Sequence, residues 1–326
     1  MKLFNLPIKI LDILYINIYN MQNKYIKLTI IIFLILVLAI FLFQHFKIKE
    51  YFEENNDKNV IPKKIWTFWN GEVPNVVNKC INTWKKYNPE YKITLLNKEN
   101  LSQYLPELDI SNMKNIDSDA RLSDIIRLNI LAKEGGIWSD ASIICLKPFD
   151  WINDLHNKEG SEFVGYYIDS FTLPQYKEKS PVIESWFFAC VPQSKFVCDW
   201  RDEFSKITKF NSINDYLNDL KSQSVNFQNI AIPHYLTIHL SAQKVLQSDK
   251  KYKLSLVKAE DDAFKYLTQN GWDSKKAIQN LVDCNNKSIK TSSSCSFLQG
   301  KIIKLRGDER KEIDRIDAPL DFFNKF

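Results

Sequence analysis

The sequence predicts an α/β domain built on a mostly parallel β-sheet. Short apolar segments with the length of buried strands alternate with longer segments whose apolar residues recur at helical spacing. Gly135-Gly136 separates one such helix from the strand that follows it, and glycine commonly ends a helix. At 326 residues, of which 45% are hydrophobic, the chain is long enough to bury one sizeable core. Strands that alternate with helices in this way are typical of parallel sheets covered by helices.

The expected elements follow in chain order. The domain opens at Ile61-Pro62, and Pro89 ends its first helix because proline cannot continue a helix. Strands are expected over 63–68, 91–96, 137–144, 163–168 and 185–191, and helices over 74–87, 98–105 and 118–134. From residue 196 onward the pattern is mainly helical, with helices expected over 196–208, 214–222 and 232–246.

The N-terminal part of the chain predicts a membrane anchor. An apolar run from Leu28 to Phe43 predicts a single transmembrane helix over 28–46, because about 20 residues cross a bilayer. A tail (1–27) precedes it and a charged stem (47–59) follows it, which leaves 60–326 for the folded domain. A cleaved signal peptide is the alternative, although no small-residue cleavage site follows the run.

The orientation of this anchor is open. The lysines on its two sides are nearly balanced, so the positive-inside rule does not decide it, and Met21 is a second candidate start. We expect a single-pass, type II-like membrane protein, in the Golgi or endoplasmic reticulum of a eukaryote or otherwise in a host or inner membrane.

Charge and cysteine content exclude two classes of function. The net charge of +5 is spread along the chain without a basic run, so a nucleic-acid partner is not indicated. The six cysteines show no CxxC spacing, which argues against a zinc site. Cys284 and Cys295 flank a polar loop, and they could pair if the domain is lumenal.

The stretch from Ala120 to Ser142 carries the strongest signal for chemistry. Asp124 and Arg127 lie three residues apart on an otherwise apolar helix, and Asp140 follows at the end of a strand. This arrangement suits a charged pair that binds sugar hydroxyls and a carboxylate that holds a metal-bound diphosphate. The alternative is a structural ion pair within the helix, followed by an ordinary aspartate at a strand end.

The same stretch resembles a known family. Ser-Asp-Ile-Ile-Arg followed by Gly-Gly-Ile-Trp-Ser-Asp-Ala-Ser resembles the core signature of the capsular polysaccharide synthesis family. That family is similar to the DXD sugar transferases of glycosyltransferase family 32 and, more remotely, to bacterial glucosylating toxins. The segments 65–71 (IWTFWNG) and 184–189 (ESWFFA) support the match, which runs from about residue 61 to about residue 200.

The resemblance implies a fold and an activity. The fold would be a GT-A-like, Rossmann-like nucleotide-binding sheet with a more helical C-terminal part. The activity would be that of a membrane-anchored hexosyltransferase in polysaccharide or glycoconjugate synthesis. Its partners would be a nucleotide-sugar donor and a glycan or glycolipid acceptor, and retention at the anomeric carbon is implied.

The resemblance also implies a divalent metal, Mn²⁺ or Mg²⁺. A metal held by carboxylate oxygens neutralises the diphosphate as it leaves. Asp140 matches the first DXD aspartate, but Ser142 stands at the second position, where it could bind through its hydroxyl or through a water. His239 on a C-terminal helix is a further candidate ligand, or else an ordinary structural histidine.

The remaining candidates concern donor binding. Asp124 and Arg127 match family positions that hold the donor sugar and the leaving group, and with Asp140 they are the expected catalytic residues. Trp66 and Trp69 bracket the end of the first strand, where an aromatic side chain can stack on a nucleotide base. We favour Trp69 because strand alternation places one of the two in the core.

Glu184 is expected to face the donor or the acceptor. Two other classes of protein remain open. One is a non-catalytic glycan- or nucleotide-binding protein that kept the fold after it lost the second carboxylate. The other is a glycan hydrolase that uses Asp124 and Asp140 as its two carboxylates.

Overall fold

The computed structural model describes residues 24–286, 293–315 and 323. Contacts divide the chain into two units, residues 1–58 and residues 59–326. The strands are β1 (Lys64–Phe68), β2 (Lys92–Leu96), β3 (Gly136–Ser139), β4 (Ile143–Cys145), β5 (Phe163–Tyr167), β6 (Ile183–Cys190), β7 (Leu254–Lys258) and β8 (Ile302–Lys304).

The α-helices alternate with these strands through the first half of the second unit, as expected. In chain order they are α1 (Lys24–Lys58), α2 (Asn75–Tyr87), α3 (Leu101–Tyr104), α4 (Asp119–Glu134), α5 (Asp150–Glu159), α6 (Lys195–Ser205), α7 (Ile213–Ser222), α8 (Thr237–Leu246), α9 (Lys265–Thr268), α10 (Ser274–Asn286) and α11 (Gly307–Arg315).

Six strands form one mostly parallel sheet in the order β2-β1-β3-β6-β5-β7. Strand β1 lies between β2 and β3 and is parallel to both. Strand β6 is antiparallel to β3 and β5, and β7 is parallel to β5, so β6 alone runs against the other five. The expected α/β class is confirmed, and the carboxyl ends of β1 and β3 lie side by side, where sheets of this type bind ligands.

Helix α4 and the turn after it bring the central stretch to this edge. The Ser118 hydroxyl caps the helix by accepting a hydrogen bond from the backbone N–H of Arg121 at 3.3 Å. The helix ends at Gly135 and Gly136, whose φ angles are +62° and +93°. A Cβ atom at Gly136 would lie 2.7 Å from the Lys64 carbonyl oxygen, so only glycine lets β3 lie this close to β1.

The prediction of a single strand over 137–144 is wrong. The chain leaves the main sheet after Ser139 and turns, with the Ile143 N–H donating to the Asp140 carbonyl oxygen at 3.2 Å. Strand β4 then pairs with β8 in a separate two-stranded antiparallel sheet, in which Ile143 is opposite Lys304. The break puts Asp140 and Ser142 in the connection between two sheets rather than on one strand.

The C-terminal part is less helical than expected, since it contains the strands β7 and β8, for which the sequence analysis predicted no element. Strand β7 extends the main sheet next to β5, and β8 forms the small sheet with β4. Cys284 and Cys295 form a disulfide bond, as the sequence suggested they could.

The predicted transmembrane span falls within α1, and the tail over 1–27 lies almost entirely outside the described residues. Within the described ranges, no helix has the length and apolar character needed to cross a membrane. The transmembrane prediction is therefore not supported.

Candidate active site

Asp140 stands directly after β3, at the carboxyl edge of the sheet. Its backbone N–H donates to the Trp186 carbonyl oxygen of β6 at 2.8 Å, which fixes its position. Its Oδ1 accepts a hydrogen bond from the Trp138 indole N–H at 3.0 Å, and its Oδ2 accepts one from Lys304 Nζ at 2.7 Å. Both carboxylate oxygens of the strongest predicted site residue are thus bound by protein donors.

Arg127 on α4 links the helix to this edge. The side chain is buried, and its Nη1 donates to the Ser185 carbonyl oxygen at 2.7 Å and to the Ser185 hydroxyl at 2.9 Å. Its Nη2 lies 3.1 Å from Asp124 Oδ1 and 3.3 Å from Asp140 Oδ1. The guanidinium group also lies over the Trp138 ring, 5.1 Å from its centroid. Arg127 therefore holds both aspartates, and its donors are directed at protein atoms.

Asp124 differs from Asp140 in having an unused acceptor. One oxygen pairs with Arg127, and the other has no hydrogen-bond partner among the residues described. Burial raises the pKa of Asp124 to about 6, and the nearby Asp140 carboxylate adds to the rise. The charges of Arg127 and His239 act to lower this pKa but do not outweigh burial. The side chain keeps 16% of its surface exposed, so its free oxygen can accept a hydrogen bond from a ligand.

Lys304 is a residue of this cluster that the sequence prediction missed. It ends β8, and the β4–β8 pairing sets it beside Ser142. Its Nζ donates to Asp140 Oδ2 at 2.7 Å and to Ser142 Oγ at 3.2 Å, while the Ser142 hydroxyl donates to the Leu305 carbonyl oxygen at 2.8 Å. The one signal in the sequence is a lysine within an apolar strand, Ile302-Ile303-Lys304-Leu305.

The charges at this position compensate one another. Burial acts to raise the pKa of Asp140, but the charges of Lys304 and Arg127 outweigh it and hold that pKa below its ordinary value. Burial lowers the pKa of Lys304, against the attraction of Asp140. The pair is a desolvated carboxylate with a desolvated ammonium group, a combination that is retained only with close geometry.

The residues expected to bind Mn²⁺ or Mg²⁺ do not fit a resident metal. Lys304 Nζ occupies the space between Asp140 and Ser142, and the Ser142 hydroxyl is already hydrogen-bonded to Leu305. His239 pairs with Glu184 instead of with Asp140. In the described part of the chain, no three His, Cys, Asp or Glu side chains form a group that could hold a metal ion.

Glu184 on β6 and His239 on α8 form a second buried pair. His239 Nε2 lies 3.1 Å from Glu184 Oε2, and both side chains are less than a tenth exposed. His239 Nδ1 is buried and has no hydrogen-bond partner among the described atoms. The pair borders the cluster, since Glu184 directly precedes Ser185, whose carbonyl and hydroxyl oxygens accept hydrogen bonds from Arg127. Glu184 thus positions His239 through Nε2, and Nδ1 of the same ring is left without a partner among the described atoms.

The two tryptophans of β1 have different surroundings. Trp66 is 3% exposed, its indole N–H donates to the Gly135 carbonyl oxygen at 3.0 Å, and its ring packs edge-on against Tyr104. The donor-binding role predicted for Trp66 is therefore not supported. Trp69 is half-buried at the carboxyl end of β1, and the Arg310 guanidinium lies 6.0 Å from its ring centroid.

A cavity of about 410 Å³ elsewhere on the surface is lined by four lysines and two aspartates among other residues, and it contains none of the predicted site residues.

Of the residues predicted for the site, the structure brings together Asp124, Arg127, Asp140 and Ser142. It adds Lys304 to them, and it sets Glu184 and His239 at the border. Trp69 stands at the same sheet edge, and Trp66 belongs to the core.

This chain belongs to the capsular polysaccharide synthesis protein family, whose sequence profile matches residues 42–296. A curated relative is the initiation-specific α-1,6-mannosyltransferase of Saccharomyces cerevisiae, which is 25% identical over 115 residues. That match covers 29% of this chain and 24% of the yeast protein, so the chain spans about a quarter of the length of this relative.

Solved glycosyltransferase structures are also similar to the chain. The galactosyltransferase LgtC, in complex with donor and acceptor sugar analogues, is matched over 81% of this chain and 100% of its own, with 9% identity and a TM-score of 0.39. The glycosyltransferase GlyE of Streptococcus pneumoniae is matched over 77% of this chain and 56% of its own, with 11% identity and a TM-score of 0.38.

Proposed function

We propose that the chain is a glycosyltransferase that moves a hexose from a nucleotide-sugar donor to a glycan or glycolipid acceptor. The observation that carries the proposal is the buried cluster of Asp124, Arg127 and Asp140 at the carboxyl ends of β1 and β3. Membership in a polysaccharide synthesis family supports the substrate class. The yeast relative is a mannosyltransferase, which supports a hexose.

Donor binding follows from the groups left free at the site. The unpaired oxygen of Asp124 accepts a hydrogen bond from a sugar hydroxyl, a charge-assisted bond of the stronger kind. Trp69 offers a half-buried ring at the same edge, on which a nucleotide base stacks. Arg127 contributes as a positioning residue, because it fixes Asp124 relative to Asp140.

The reaction that we propose exchanges one bond at the anomeric carbon for another. The bond between that carbon and the donor phosphate oxygen breaks, and a bond to the acceptor hydroxyl oxygen forms. The acceptor proton passes to the departing phosphate, so a nucleoside diphosphate is released. We propose retention of configuration by this same-face route, since Asp140 has both oxygens bound and is not free to act as a nucleophile.

The second candidate function is a non-catalytic binder of nucleotides or glycans. The observation that favours it is the complete pairing of Asp140, with Ser142 at the second DXD position. This candidate and the transferase differ in turnover, because a binder releases no nucleoside diphosphate from a nucleotide sugar.

The test is a panel of nucleotide sugars incubated with the full chain, alone and with glycan acceptors, and read by mass spectrometry. A transferase converts at least one nucleotide sugar to its nucleoside diphosphate, faster with a matching acceptor, and Asp124→Asn slows it. Binding without turnover on the whole panel identifies the binder. Cleavage of a glycan in the absence of any nucleotide identifies a hydrolase and overturns the proposal.

A further inference from the structure

We propose that the Lys304 ammonium group takes the place of a divalent metal and binds the diphosphate of the donor. The inference rests on the proposed function, because it assigns the diphosphate subsite of the same site. Lys304 lies beyond residues 42–296, the segment that matches the family profile.

The position of the ammonium group is the first argument. A metal in a DXD site lies against the carboxylate at the end of the strand and the side chain two residues later. Here a positive charge already lies against both, with Lys304 Nζ 2.7 Å from Asp140 Oδ2 and 3.2 Å from Ser142 Oγ. Asp140 thus holds a cation in the way it would hold a metal, without a second acidic residue.

The second argument is that strand pairing holds the backbone of Lys304 beside Ser142. In the β4–β8 ladder Lys304 is opposite Ile143, and the Leu305 N–H donates to the Ser142 carbonyl oxygen at 3.0 Å. The Ser142 hydroxyl closes the link by donating to the Leu305 carbonyl oxygen at 2.8 Å. Ser142 therefore serves to hold the C-terminal strand, and a serine suits this position better than an aspartate that would need a metal.

The surplus of positive charge is the third argument. The two carboxylates of Asp124 and Asp140 are balanced by the two cations of Arg127 and Lys304. Arg310 on α11 adds a third cation, and its charge acts to lower the pKa of Lys304. Arg310 lies over Trp69 and has no carboxylate partner among the described residues. A diphosphate between Lys304 and Arg310 would compensate this surplus, with the base beside Trp69.

The first measurement uses the unaltered full chain. Nucleoside diphosphates with different bases are titrated by calorimetry, once in EDTA and once in Mn²⁺. We expect the same affinity within about twofold in both, because the ammonium group needs no added ion. Binding that requires Mn²⁺ overturns the inference but leaves the proposed function intact. Absence of binding in both conditions contradicts the proposed function, and the inference with it.

The second measurement compares Lys304→Met with Lys311→Met, a matched control on the exposed surface of α11. In EDTA, Lys304→Met should weaken nucleoside diphosphate binding about ten- to a hundredfold, the loss expected for one charged hydrogen bond. The affinity of Lys304→Met for the nucleoside without phosphates should stay the same. A merely structural effect of the substitution would weaken the binding of both ligands. Undiminished diphosphate binding by Lys304→Met overturns the inference. If this variant does not fold, the comparison of EDTA with Mn²⁺ decides alone.

Discussion

Arg127 and Asp140 join the central helix to the central strand, with 3.3 Å between Arg127 Nη2 and Asp140 Oδ1. The two residues come from α4 and from the end of β3, on either side of the Gly135-Gly136 turn. The contact is desolvated on the arginine side, since that side chain is 6% exposed. A buried guanidinium group with several partners fixes geometry, and it is costly to leave the partners without it.

Arg127→Gln should therefore lower both stability and activity. The change leaves Asp124 and Asp140 near each other without their shared cation, so we expect a loss of about 3–5 kcal/mol in the free energy of unfolding. Arg201→Gln is the control, because Arg201 pairs with the largely exposed Asp202 and its loss should cost less than about 1 kcal/mol. Urea unfolding of both variants measures the difference. Equal stabilities would show that Arg127 is not a structural link.

Asp124→Asn should act on turnover more than on stability. The Asp124 carboxylate has one oxygen free for the donor, and a charged hydrogen bond made in the transition state contributes about 2–4 kcal/mol, or roughly 30- to 1000-fold in kcat. Because burial disfavours the charged form, a neutral side chain should keep the melting temperature unchanged or raise it. Asp154→Asn on the exposed face of α5 is the matched control. Normal kcat in folded Asp124→Asn would remove this residue from the site.

The raised pKa of Asp124 predicts a pH dependence of stability. The folded pKa of about 6 lies above the ordinary value of 3.8, so the folded state favours the protonated carboxyl group. The stability that this preference provides is present below about pH 4 and is lost as the pH rises through about 6. Between these values the wild type should lose about 2–3 kcal/mol relative to Asp124→Asn. Urea unfolding of both proteins across this range measures the difference, and parallel curves would contradict the shift.

The same pKa should also govern activity, but activity should rise with pH where stability falls. An ionised Asp124 accepts hydrogen bonds from sugar hydroxyls, whereas the protonated form has lost part of this capacity. We expect kcat/KM for nucleotide-sugar turnover to fall as the pH drops below about 6, where Asp124 takes up its proton. The residual activity of Asp124→Asn should lack this limb of the profile, which distinguishes Asp124 from other groups that titrate nearby.

Most of the main sheet was predictable because local pattern determined it. The Gly135-Gly136 stop, the apolar strand before Asp140 and the alternation up to β6 each have a cause within a few residues. The strand predicted over 137–144 failed because the apolar pattern continues through Ile143 and Ile144. The strand is interrupted because β4 pairs with β8, which lies about 160 residues further along the chain. Pairing over that distance leaves no pattern in the sequence near residues 137–144.

The site was predictable to the same degree and for the same reason. Asp124, Arg127 and Asp140 lie within one stretch of chain, so their proximity followed from a helix, a turn and a strand. Lys304 and Arg310 reach this edge only through the C-terminal strand and helix, and the metal expected beside Asp140 was inferred without them. The pairing of His239 with Glu184 likewise depends on contact between α8 and β6.

Trp69→Ala should weaken nucleotide binding without unfolding the protein. Stacking of a base on an aromatic ring contributes about 1–3 kcal/mol, so we expect the dissociation constant for the nucleoside to rise roughly 5- to 150-fold. Trp272→Ala is the matched control, because Trp272 is 38% exposed and lies under the Arg306 guanidinium group as Trp69 lies under that of Arg310. Trp66→Ala should instead cost about 3–5 kcal/mol of stability, since it empties a core position. Calorimetric titration with thermal unfolding separates these cases, and unchanged nucleoside binding by Trp69→Ala would place the base elsewhere.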